Sequence, residues 1–345
     1  MLRGDLPNHL PSLQSLEIEN CAQLSCSLPK APSITELKIV DCNCIEVLEG
    51  KHLVESAIEA IKQRQLSCLS CLSISDCSSH ILFPVSAVPA SLEKLNIWDC
   101  RKLEFQMDGH HHSLQELSII NSCDSLTAFS LLDAFPNLKH VRIKECEKME
   151  CIVVSASLSC LRYLAIYDCG SLKSVSMPWM AAPQLENLIL VGCPEMDFDF
   201  SPTGNPPCSL RSLEISYSSK LVSCATLMNS QFQGLTHLTI KDEYESVKSF
   251  PKEGWLPASL ESLTLRSIMS VETLECKGLA HLTSLKELSI VDCPQLENIQ
   301  GEMLPASLLR LTINFSPLLG KRCQMKDSQL WPKLSHIQDI RVYYN

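Results

Sequence analysis

The side chains with the strongest chemical character fall into three groups. Cys68-Leu-Ser-Cys71, with Cys77 close behind, has the donor type and spacing of half a zinc site. One pair beside a periodic column of cysteines is weak support for a metal, so free thiols are expected. His110-His111-His112 follows Asp108-Gly109, a turn signal, which places the histidines in an exposed loop. Asp41, Asp76, Asp99, Glu145, Asp168 and Asp292 each precede a cysteine. Such a row could hold a cation, but acids in turns more often accept hydrogen bonds from nearby backbone N–H groups, and that is the expectation here. There is no Gly-x-x-x-x-Gly-Lys-[Ser/Thr] loop, Gly-x-Ser-x-Gly elbow or His-Glu-x-x-His helix. A non-enzymatic chain that holds no metal or cofactor of its own is therefore expected.

A repeat sets the spacing of these residues. The phrase Leu-x-x-Leu-x-Ile, or a near variant, returns thirteen times and is usually followed by x-x-Cys. Leu13-Gln-Ser-Leu16-Glu-Ile18-Glu-Asn-Cys21 is an early copy and Leu285-Lys-Glu-Leu288-Ser-Ile290-Val-Asp-Cys293 a late one. Successive copies lie 21 to 25 residues apart, with a single step of 35. That period and phrase mark an α/β repeat fold, the leucine-rich repeat solenoid, of about 13 repeats. Its strands are expected to form a parallel sheet on the concave side, with irregular convex segments. Residues 1–12 read as the tail of a preceding, truncated repeat, 13–318 as the repeats and 319–345 as a capping segment. The long step is a helical insertion at about 49–66, where Ala57, Ile58 and Ile61 share one helix face.

Within the phrase, the second Leu and the Ile alternate with polar residues at period two, so they point inward from a short strand. Cys21, Cys42, Cys77, Cys100, Cys146, Cys169, Cys193 and Cys293 then form a structural ladder, with Cys123 one place off. A buried thiol is a small apolar group with a weak S–H donor that can reach a carbonyl at the bend. Ser218, Glu243, Ile268 and Ser316 occupy the same slot elsewhere, and less regular turns are expected there. A second apolar pair, such as Leu296 and Ile299, packs beneath the ribbon. Pro-Ala-Ser-Leu turns, as at Pro89, Pro257 and Pro305, introduce several strands.

Composition narrows the function. The formal net charge of −10 lacks the basic footprint of a nucleic-acid binder. The first residues contain no apolar run suited to a signal peptide, and no stretch approaches the roughly 18–20 apolar residues of a membrane span. Nineteen cysteines then imply a reducing compartment. A cytoplasmic location is expected, with membranes or the nucleus reached only through partners.

Because the fold sets which residues face out, an exposed surface can be written down. In the column one residue past the Ile stand Trp98, Ile120, Tyr167 and Val191, joined by Tyr163 and Ile189 in adjacent columns. His140, Arg142 and Lys144 cross this apolar patch as a basic strip. An exposed patch bearing Trp, Tyr and Arg has the character of a protein-interaction hot spot, or of a face that another domain covers.

Further residues carry a family resemblance. Leu6-Pro-Asn-His-Leu-Pro-Ser-Leu13, Leu28-Pro-Lys-Ala-Pro32, the Pro-Ala-Ser-Leu strand starts and the cysteine-ended strands resemble the leucine-rich repeat region of plant intracellular nucleotide-binding disease-resistance proteins of the coiled-coil class. Leu319-Gly-Lys-Arg-Cys323 followed by Trp331-Pro-Lys-Leu-Ser-His-Ile337 resembles that family's closing segment. The resemblance covers essentially the whole chain. It implies recognition of a pathogen effector or guarded host protein, and contact with the receptor's own nucleotide-binding domain. ATP or ADP would belong to that domain, which lies outside this sequence. The alternative is a substrate-recruiting adaptor of a ubiquitin ligase, whose regular Ile-x-Asp-x-x-Leu continuation is missing here.

Overall fold

A computed structural model describes residues 7–21, 28–40, 53–129, 131–153, 158–176, 181–196, 209–217, 232–243 and 247–343. Asp41, Cys42, Ser218, the ends of the chain and the first residues of the 49–66 insertion lie outside the described residues, as does the side chain of Glu243. The chain divides into two compact units, Met1–Pro183 and Gln184–Asn345.

In the first unit the repeated phrase forms strands β1 (Ser15–Glu19), β2 (Glu36–Val40), β3 (Cys71–Ser75), β4 (Lys94–Trp98), β5 (Glu116–Ile120), β6 (His140–Lys144) and β7 (Tyr163–Tyr167). They pair in sequence order, all parallel, and each second Leu meets the next one in register: Leu37, Leu72, Leu95, Leu117, Val141 and Leu164. The inward Leu, Val and Ile side chains of β2 to β7 are at most 2% exposed. Burying each contributes roughly 1.5–3 kcal/mol, which selects this register over a one-residue slip that would turn them all to solvent.

The returning segments add short parallel strands of their own, Ile81–Pro84 with Leu103–Gln106, and Ala128–Phe129, Cys151–Val153 and Ser174–Ser176 as a further set. In the long step, Leu53–Lys62 is helix α1, which buries Leu53, Val54, Ala57, Ile58, Ala60 and Ile61.

The second unit repeats this construction in β8 (Asn187–Val191), β9 (Ser212–Tyr217), β10 (His237–Glu243), β11 (Ser262–Arg266), β12 (Glu287–Val291) and β13 (Arg310–Asn314). Helices Pro317–Gln324 and Trp331–Leu334 follow, and then a further strand, β14 (Asp339–Tyr343), which pairs parallel with β13. Ile340 and Val342 thus extend the sheet as half-buried strand residues, although no copy of the phrase marks them.

Ten of the described corners after strands share one construction. The second residue past the Ile is left-handed, with φ of 45–56° at Asn20, Asp76, Asp99, Asn121, Glu145, Asp168, Ser267, Asp292 and Phe315, and 73° at Gly192. Asn, Asp and Gly tolerate this conformation best, which accounts for the acidic row preceding the cysteines. The corner N–H groups bond the next coil: Asp76 N donates to Trp98 O at 3.0 Å and Asp99 N to Ile120 O at 2.9 Å. Side chains also link corners, with Asn121 Nδ2 donating to Asp99 Oδ1 at 2.5 Å and Ser267 Oγ to Asp292 Oδ2 at 3.2 Å.

One residue further, the ladder forms a hydrogen-bond relay. Cys77, Cys100, Cys146, Cys169, Cys193 and Cys293 are buried, while Cys21 is half-buried. The Cys100 thiol donates to Trp98 O at 3.1 Å, and the same bond to the residue two back recurs at Cys146, Cys169, Cys193 and Cys293 at 3.4–3.6 Å. In the other direction, the Cys77 and Ser122 N–H groups reach the Cys100 and Cys146 sulfurs, and Cys100 N donates to Ser122 Oγ at 2.9 Å. Ser122 therefore occupies the slot that Cys123 misses by one place.

Ser316 does the same. It accepts from Cys293 N at 3.0 Å and donates to Asn314 O at 3.2 Å, so its corner is regular where a less regular turn was expected. Hydroxyl and thiol can exchange here because each is a small group that both donates and accepts. The serine of each Pro-Ala-Ser-Leu turn has a comparable task. Ser91 and Ser259 donate to Leu69 O and Leu235 O at 2.7 Å, the first leucines of the preceding coils, and Ser307 donates to Leu282 O at 3.2 Å, three residues before the first leucine Leu285.

Candidate functional site

In the first unit, strand register brings the outward residues into columns. Trp98, Ile120, Lys144 and Tyr167 follow one another on β4, β5, β6 and β7, and His140 stands beside Tyr163. At about 4.8 Å per strand, Trp98 and Tyr167 lie roughly 14 Å apart along the ribbon. Trp98 is 37% exposed, His140 and Arg142 are exposed, and Ile120, Lys144, Tyr163 and Tyr167 are half-buried. The tyrosines are fixed by the basic strip. The Arg142 guanidinium lies 5.5 Å from the Tyr167 ring centre, and the His140 and Tyr163 rings are 6.2 Å apart.

Ile189 and Val191 belong to the second unit. Ile189 is half-buried, but Val191 is fully buried, contrary to the outward position expected for it. The column loses its regularity there. Ser216, the corresponding residue of β9, is itself buried and takes the Gly192 N–H at 2.9 Å, and the β9 ladder shifts register between Ser216 and Tyr217.

Charges around the cluster are mostly paired. Lys94 meets Glu116 at 3.0 Å and Lys144 meets Glu145 at 2.7 Å, and these carboxylates hold both lysines above the ordinary ammonium range. Between β4 and β7 the middle column is small: Asn96, Ser118 and Ala165 flank Arg142. The result is a depression of about 290 Å³ lined by Asn96, Glu116, Ser118, His140, Arg142 and Tyr163. Sequence reasoning selected the large residues and passed over Asn96 and Ser118. Their small size in the two strands before an arginine was the available signal.

The other chemical groups have structural surroundings. Cys68 is exposed, Cys71 half-buried and Cys77 buried, and all three are free thiols. No cluster of metal-ligating side chains occurs among the described residues. His110 and His112 are exposed, but His111 is buried, which corrects the exposed-loop expectation for the middle histidine. Its Nε2 lies 2.8 Å from Pro89 O, its Nδ1 accepts from Leu114 N at 3.2 Å, and its ring packs edge-on to Phe135. Burial lowers its pKa. Among the described residues no helix is long and apolar enough to cross a membrane.

Comparison with known proteins places this geometry in a wider group. Residues 90–252 match the model of the At1g61320/AtMIF1 LRR domain. The chain is 28% identical over 337 residues to At3g14460 of Arabidopsis thaliana, a protein assigned by name to disease resistance; the match covers 87% of this chain and 21% of that protein. It is 35% identical over 111 residues to RPP13-like protein 1 of the same plant, likewise assigned by name to disease resistance, covering 30% of this chain and 10% of the relative. The chain thus spans about a fifth of the length of the first relative and a tenth of the second. A solved structure of the Leptospira interrogans LRR protein LIC12759 is 16% identical with a TM-score of 0.41, covering 98% of this chain and 93% of that one.

Proposed function

We propose that this leucine-rich-repeat chain is the recognition region of a plant immune receptor, binding a pathogen effector or host protein and contacting the receptor's nucleotide-binding module. The observation that carries the reading is the match to At3g14460 along 87% of the chain. The outward face of β4 to β7 supports it physically. Trp98, Tyr163, Tyr167 and Arg142 are the residue types that dominate binding energy at protein interfaces, held by ring and cation contacts before a partner arrives.

Proximity labelling in infected leaf tissue tests the reading, comparing the wild-type chain with W98A/Y167A. A labelled pathogen or host protein should be lost in the double variant while its unfolding midpoint stays near that of the wild type. A lower midpoint with an unchanged set of labelled proteins would assign these rings to packing and remove the interface.

A further inference from the structure

We infer that the depression around Arg142 takes one carboxylate side chain, an Asp or Glu of a protein partner, seated beside an apolar residue that contacts Trp98 and Ile120. The inference rests on the recognition reading above and names the partner's chemistry.

Arg142 makes no ion pair with a described residue, whereas its neighbours Lys94 and Lys144 are each joined to a glutamate. Glu116 lines the same depression but is already engaged by Lys94, and Glu145 by Lys144. The guanidinium carbon lies over the Tyr167 ring at 5.5 Å from its centre, and no carboxylate of a described residue pairs with the guanidinium. A guanidinium presents five donors in a planar fork that matches a carboxylate in bidentate fashion. Ser118 and Asn96 add polar groups, and His140 stands at the same wall.

Size and field narrow the ligand. At about 290 Å³ the depression falls just below the roughly 300–1,000 Å³ of small-molecule sites, yet it accommodates a single side chain. The chain's net charge of −10 repels an acidic tract at long range, but screening confines that repulsion to about 8 Å at physiological salt. A single carboxylate reaching Arg142 directly, with apolar contact alongside, satisfies both conditions.

The test is a phage-displayed random dodecamer library panned on the purified chain. Wild type should enrich peptides with an Asp or Glu next to an aromatic or aliphatic residue. A synthetic peptide from that set should bind R142Q at least tenfold more weakly and R142K at an intermediate level, because lysine keeps the charge but loses the fork and the stacking. Exchanging the peptide's acid for its amide should weaken wild-type binding equally and leave R142Q binding unchanged. No enrichment of acidic peptides, or R142Q binding within twofold of wild type, would overturn the inference. A partner lost in W98A/Y167A tissue but retained by R142Q would keep the recognition reading and discard the carboxylate anchor.

Discussion

Replacing Ser316 with Ala probes the corner relay at a single atom. Ser316 is 1% exposed, and its Oγ accepts the Cys293 N–H at 3.0 Å while donating to Asn314 O at 3.2 Å. The two lost bonds have different consequences. Asn314 O also takes the Asp292 N–H at 2.8 Å, so it keeps a partner. Cys293 is itself 1% exposed, and its N–H is left without its acceptor. A buried unsatisfied donor costs about 1–3 kcal/mol, and alanine opens almost no cavity, so a loss of about 2 kcal/mol is expected. Ser316→Cys restores a donor and a weaker acceptor, and should cost less than about 1 kcal/mol. Urea unfolding followed by circular dichroism measures the loss. Hydrogen exchange at the Cys293 amide locates it, with exchange roughly thirtyfold faster for about 2 kcal/mol. A Ser316→Ala loss below about 0.5 kcal/mol, the ordinary range of surface substitutions, together with unchanged Cys293 exchange, would refute the relay.

Two further outcomes follow from close packing and from a buried imidazole. A Cβ at Gly278 would lie 2.0 Å from Pro251 O and 2.6 Å from Pro251 C, so Gly278→Ala must displace backbone. It should cost about 3 kcal/mol or more in urea unfolding, while Gly170→Ala, with nothing within 4 Å, should stay within about 0.5 kcal/mol; equal losses would contradict the packing. Burial depresses the His111 pKa below its ordinary 6.5, so the unfolded chain takes the proton first as pH falls. The His111 contribution is complete above about pH 6.5 and is lost progressively below it. The melting midpoint should therefore drop less between pH 7.5 and 5.5 in His111→Asn than in wild type, and equal drops would count against a buried neutral imidazole.

Much of this molecule is legible in the residue order because its contacts are periodic. Leu95 and Ile97 recur as Leu117 and Ile119 one coil later, so pattern alone gives strand, face and register. The acidic row was also visible, and among its described members Asp76, Asp99, Glu145, Asp168 and Asp292 all stand at left-handed corners with φ near 50°. His111 escaped because its two flanking histidines do face solvent, and only the neighbouring coil supplies Pro89 O and the Phe135 ring. The candidate face was half legible. Trp98, Arg142 and Tyr167 stand where alternation puts them, whereas Val191 is closed from solvent.

Residue order was enough for the repeat, the inward leucines and isoleucines and the cysteine column, since each follows from local alternation repeated at a near-constant period. Packing of one coil on the next set the rest. It made Ser122 and Ser316 members of the ladder, turned 339–343 into a strand and closed Val191 from solvent. It also left Arg142 over the Tyr167 ring without a carboxylate partner among the described residues. Periodicity records which way a side chain points. Which donor meets which acceptor depends on a neighbour about 22–25 residues away, whose identity the repeating phrase leaves free.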